Sequence, residues 1–156
     1  MRGTVITTVL TLVAAGFVLL SLNRVTTIPG QPVALSTPEG DRKLVVDYFA
    51  ELNEAGKDGA ATQRDFLRRT QHPDFTDRLC DLGDLVLKIE PAMSTFRVDP
   101  KWSPPDSAKR PRGLVYVLGV SVSIRRAGAV IAEQIGSERV VVLDGKVYGF
   151  TPCPTE

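Results

Sequence analysis

The feature that most constrains this chain is a run without charge at its amino end. From Thr4 to Leu22 there are 19 residues with no Asp, Glu, Lys or Arg, rich in Val, Leu, Ala and Thr. As an α-helix this run would be roughly 28 Å long, close to the hydrocarbon thickness of a bilayer. A soluble domain of this size has no use for a wholly apolar helix at its very end. The reading is therefore a transmembrane signal anchor at residues 4–22, preceded by a short cytoplasmic end at residues 1–3. Arg2 and the amino terminus supply the positive flank. The competing reading is a cleaved signal peptide, which needs small residues spaced like Ala-x-Ala after the apolar core. Asn23-Arg24-Val25-Thr26-Thr27-Ile28-Pro29 offers no such site, and no Cys follows the run to accept a lipid. Retention is favoured, which places the chain in the cell membrane, single-pass, with its C-terminal domain extracytoplasmic. Within the run, Thr7, Thr11 and Ala15 form a small-residue stripe of the kind that packs against another helix.

Charge and cysteine usage fit that placement. Without Arg2 the chain carries 18 basic and 18 acidic residues, a balance that lacks the basic surplus of a nucleic-acid binder. Its two cysteines, Cys80 and Cys153, have 72 residues between them, with no Cys-x-x-Cys. His72, the single histidine, cannot complete a zinc site with them, so neither a metal nor another cofactor is expected. In an oxidising compartment the two thiols would pair; the alternative is two free thiols, one of them buried.

Residues 23–35, with Pro29, Gly30 and Pro32, read as a linker to a domain at 36–156. Ser36 and Glu39 have capping-box spacing, and Pro38 fits a first helical turn. Val45, Tyr48, Phe49, Leu52 and Ala55 then recur on one helical face, and Gly56 is a natural stop. Lys57-Asp58-Gly59 predicts a turn, and Ala60 to Arg69 a second helix that buries Phe66 or Leu67. After His72-Pro73-Asp74, the spacing of Phe75, Leu79 and Leu82 predicts a short third helix carrying Cys80 and ending at Gly83.

From Leu85 the period changes to two. Leu85–Ile89 and Thr95–Val98 read as two short strands. Leu114–Ile124 is the clearest strand, with Leu114, Tyr116, Leu118, Val120, Val122 and Ile124 on one face. Arg125–Gly128 predicts a turn, Val130–Leu143 a bent strand with a bulge at Gly136, and Asp144-Gly145 a hairpin into Val147–Thr151. Helices followed by a mostly antiparallel sheet make an α+β domain.

This order resembles the NTF2-like (cystatin-like) superfamily, and in particular the single-pass extracytoplasmic proteins of actinobacteria that include the Mce-associated membrane proteins. The residues behind the resemblance are the anchor Thr4–Leu22, the helix Val45–Leu52, the strand Leu114–Ile124 and the hairpin Val140–Phe150 around Asp144-Gly145. It implies three helices packed on a curved, mostly antiparallel sheet. Its members include isomerases and dehydratases, ligand binders, and scaffolds of secretion and conjugation machines. Enzymes of this fold line the cone of the sheet with acidic residues, Tyr or His, for which Tyr48, His72, Asp99, Tyr116 and Glu133 would be the candidates here. No two of them form a recognisable pair by spacing. Tyr48 belongs to a helix stripe and reads as core, and His72, before a proline, reads as a surface or turn residue.

Gly119-Val120-Ser121-Val122-Ser123 lacks the last glycine of a nucleophile elbow and falls inside a strand, so no catalytic serine is expected. The segment Arg97–Arg112 gathers Arg97, Lys101, Lys109, Arg110 and Arg112 around Trp102, against Asp99 and Asp106. It reads first as a solvated connection with Trp102 folded back on the core. Its other reading is a contact loop for an anionic partner, lipid headgroup or envelope polymer. The expectation overall is a non-enzymatic, anchored accessory or scaffold protein of a cell-envelope transport or secretion complex, with a surface for a protein partner in the cell envelope rather than a catalytic one. The alternatives are a binder of a small apolar ligand in the cone of the sheet and an isomerase- or hydrolase-like enzyme.

Overall fold

The computed structural model describes residues 38–105 and 107–151. The expected anchor, the linker, the Ser36 cap and Cys153 lie outside the described residues. Among the described residues no helix is long and apolar enough to cross a membrane.

Two helices come first, α1 (Pro38–Lys57) and α2 (Ala60–Thr70), then a short 3-10 segment (Pro73–Arg78). Four strands follow: β1 (Leu85–Val98), β2 (Leu114–Arg126), β3 (Ala129–Leu143) and β4 (Lys146–Tyr148). They form one curved antiparallel sheet in chain order β1-β2-β3-β4, so the domain is α+β. The stripe read from the sequence is the buried face of α1: Val45, Phe49 and Leu52 are almost fully enclosed and Tyr48 nearly so. Such burial contributes about 1.5–3 kcal/mol for each large side chain. Phe66 and Leu67 of α2 join it against Leu87, Ile89, Tyr116, Leu118, Val120, Val140 and Val142 of the sheet.

Four expectations need correction. Gly56 does not end α1, which runs on to Lys57; the turn comes at Gly59, whose φ of 114° suits glycine. No third α-helix forms. The 3-10 segment is broken at Phe75, Leu79 is extended and more than a third exposed, and Cys80 follows in irregular chain. The two short strands at Leu85 and Thr95 are one strand, β1, with an irregularity between Ala92 and Arg97. There the Thr95 hydroxyl replaces a backbone partner, accepting from the Gly119 N–H and donating to the Ala92 carbonyl, both at 2.7 Å. In β3 the bulge lies at Ile131 rather than Gly136, which pairs regularly with Val120. The Asp144-Gly145 hairpin forms as read, with φ of 51° and 73°, the positive pair of a type I′ turn.

After β4 the chain turns back to the helices. Gly149 bridges to Gln71, its N–H bonding the Thr70 carbonyl at 2.9 Å while its own carbonyl accepts from the His72 N–H at 3.0 Å. A Cβ on Gly149 would lie 2.3 Å from the Tyr48 hydroxyl, so this crossing requires glycine.

Candidate functional site

Polar side chains inside the domain fall into separate groups. The first is Asp41, fully buried in the first turn of α1, whose Oδ2 accepts the Tyr116 hydroxyl at 2.6 Å. Its Oδ1 has no hydrogen-bond partner among the described residues. Phe96 stacks on Tyr116 at 4.3 Å, and Arg42 lies over Phe96 while its guanidinium donates to the Met93 carbonyl. Burial, then the Asp41 hydrogen bond and charge, push the Tyr116 hydroxyl well above the ordinary tyrosine range.

The second group lies between α1, α2 and β3. Burial drives the Tyr48 hydroxyl up to about 12, a hydrogen bond with Thr70 offsets part of this, and the charge of Glu138 adds to it. Glu138 is paired with Leu118 and so shares the core face; desolvation raises its carboxyl to about 7, against the opposing pull of Arg139. Both residues line a void of only about 10 Å³, with Phe49, Leu52, Leu67, Ile89 and Val140. That is room for roughly one water. Among the described residues a larger hollow, a groove of about 470 Å³, lies between the α1–α2 turn and the β2–β3 turn.

The third group centres on His72, which is fully buried, contrary to the surface position expected for it. Pro73 does set a turn, but the ring points inward. Its Nδ1 accepts the Asp74 N–H at 3.1 Å, so Nε2 carries the proton and donates to the Arg112 carbonyl at 2.9 Å. Phe150 stacks on it at 5.7 Å, and Phe75 and Tyr148 close the sides. Every polar atom of the imidazole is engaged, which suits a core tie between the helical layer and the β1–β2 connection.

The remaining cone candidates are elsewhere. Asp99 binds Arg139 at 3.2 Å, and Glu133 is exposed, opposite Ser123 on the other face of the sheet. Tyr48, His72, Asp99, Tyr116 and Glu133 thus do not converge. Among the described residues no cluster of three His, Cys, Asp or Glu is placed to hold a metal.

The basic segment is fastened down. Trp102 packs edge-on against Phe150 at 4.7 Å, and Arg139 covers its ring at 5.3 Å. Arg112 forms a two-point ion pair with Asp74, at 2.9 Å and 3.1 Å, and holds that carboxyl below the usual range; Lys109 stands 3.9 Å away. Arg110 donates to the Pro100 carbonyl and Arg97 to that of Thr95, each at 3.2 Å, and Arg78 donates to Pro105. Lys101 is exposed. The connection is ordered by its own cations, and the tryptophan is folded back on the core.

Cys80 is half of a disulfide; the partner expected for it, Cys153, lies outside the described residues. Sequence reasoning missed Asp41, Gln63 and Glu138. For Glu138 a signal existed, since it stands in step with Val140 and Val142 on the inward face.

No family model, curated protein or solved structure matches this chain.

Proposed function

We propose that this chain is a membrane-anchored, non-enzymatic accessory or scaffold protein of a cell-envelope transport or secretion complex, its extracytoplasmic domain of the NTF2-like type. The observation that carries the reading is the filled interior: where a ligand-binding or catalytic cone would open, side chains leave about 10 Å³. With that void so small, the reading looks to the surface of the domain. The uncharged run Thr4–Leu22 supports the anchor, and the disulfide at Cys80 fits an oxidising compartment. The same void weighs against a binder of a small apolar ligand. Glu138, with its raised carboxyl beside Tyr48, is the one feature that favours acid–base chemistry. The void beside it holds roughly one water.

The test is crosslinking of the full chain in intact membranes, followed by mass analysis of the adducts. A reproducible adduct with a different envelope protein supports the reading. Adducts with itself alone, or none, would sink it.

A further inference from the structure

The two edges of the sheet are unlike. β1 is blunted by Pro91, by the irregularity between Ala92 and Arg97, and by exposed Lys88; these features discourage strand addition. β3 has no such protection over most of its length. β4 pairs only with Val141, Val142 and Leu143, so Ala129–Val140 has a strand neighbour, among the described residues, on the β2 side alone. That stretch contains no Pro and no Lys, and its bulge at Ile131 leaves Ala132–Val140 in regular register. Val130 and Ile131 are about half exposed, and Ile135 is 91% exposed. Unpaired backbone groups beside exposed β-branched side chains form a template for another strand.

The charges along this edge select the occupant. Glu133 pairs with Ser123 and Arg139 with Val117, so both side chains lie on the face away from the helical core. They stand three residues either side of Gly136. We infer that the β3 edge pairs with a second copy of itself, antiparallel about a two-fold axis at Gly136, with Glu133 of each copy facing Arg139 of the other. In this register Gln134–Glu138 form the central ladder. Each Ile135 lies diagonally across the axis from its counterpart, within reach of contact on a sheet surface. The Glu138 carboxyl faces the side-chain amide of Gln134, whose N–H donates to it in this register. A slip of one residue sets Glu133 against Glu138 and mismatches the two faces; a slip of two leaves Glu133 and Arg139 without opposite charge. Arg139 already holds Asp99, so the second copy adds a carboxylate to an oriented guanidinium. The result is an eight-stranded continuous sheet with both β3 edges closed. It is an isologous contact, the commonest kind in soluble oligomers.

This inference does not rest on the accessory-protein reading. Its test uses the full chain in detergent, with protein mass read by sedimentation velocity. The wild-type chain is expected to be dimeric, and Glu133→Arg and Arg139→Glu should each weaken the dimer at least tenfold. Mixed in equal amounts, the two variants should associate again, because every crossed pair then becomes unlike in charge. A monomeric wild type, a dimer that Glu133→Arg leaves unchanged, or a mixture no stronger than either variant would overturn the proposal. Arg139→Glu also disturbs Asp99, so Gly136→Cys provides an independent readout. A Cβ at Gly136 meets open space, and a cysteine on the axis should join two copies under mild oxidation in membranes. Failure to crosslink there, with Ser107→Cys as the control, would also count against it.

Discussion

Gln63 shows how much a single buried amide can hold. Its Nε2 donates to the Leu52 carbonyl at 3.1 Å and the Leu87 carbonyl at 2.7 Å, while Oε1 accepts the Leu87 N–H at 2.8 Å. One side chain thus joins α2 to α1 and to β1, under Gly56, where a Cβ would lie 2.6 Å from the amide nitrogen. Gln63→Ala is expected to cost about 3 kcal/mol, since it empties space and leaves buried backbone groups unpaired; urea unfolding measures it. Glu138 gives a pH signature. Its carboxyl lies near 7 in the fold, against about 4.3 for an unfolded glutamate. The folded state therefore binds more protons between those values, and stability falls as pH rises through that window. Glu138→Gln should flatten the loss between about pH 4 and 7 and stabilise the domain above it, by on the order of 2 kcal/mol. An unchanged pH slope in unfolding would contradict this. A lone Gln in a helix looks like a solvated position until the partner elements are in place, whereas Glu138 shares the inward step of Val140 and Val142. Tyr48, Phe49 and Leu52 were legible because helical spacing alone sets their face.

At the scale of elements, legibility followed the same division between local and distant causes. The stripe on α1, the alternation of β2 and the Asp144-Gly145 turn depend on neighbours in sequence, and all formed as read. The third helix did not form. His72, Phe75 and Phe150 prefer their mutual packing to the helical repeat of Phe75, Leu79 and Leu82, and Leu79 is left outside. Residue type points to Gly136 for the β3 bulge, yet it is the return from the Ala127-Gly128 turn that inserts Ile131. The β1–β2 connection reads from sequence as a loop with Trp102 folded back, and its fastening through Asp74, Phe150 and Arg139 depends on segments far away in sequence. Trp102→Ala should therefore loosen that connection without unfolding the sheet. Amide exchange is expected to quicken from Lys101 to Arg112 while the β2 core at Tyr116–Leu118 stays protected, with a stability loss of about 2 kcal/mol. Exchange rising equally in β2 would show that the connection and the sheet open as one unit.

At the scale of the whole molecule, the described interior is closely packed around α1. α1 fills the curve of the sheet so completely that the region between Tyr48, Leu52 and Val140 holds about 10 Å³, and apolar ligands should give no saturable thermal shift. The stability of such a small domain then depends strongly on how its ends are tied. Cys80 lies in the irregular chain between the 3-10 segment and β1, where backbone ladders supply little, and it is disulfide-bonded. The pairing proposed for it, with Cys153, would close a loop that holds the whole sheet, from β1 to β4. A loop of this length restricts the unfolded chain by about 4 kcal/mol in the chain-entropy description. Replacing both cysteines by serine should lower the unfolding midpoint by a corresponding amount and leave the protection of Leu118 and Val140 in the native state intact. Peptide mapping under non-reducing conditions identifies the bond directly. If the double variant unfolds at the wild-type midpoint, the sheet and α1 alone hold the domain, and the bond serves only to fasten the carboxyl end.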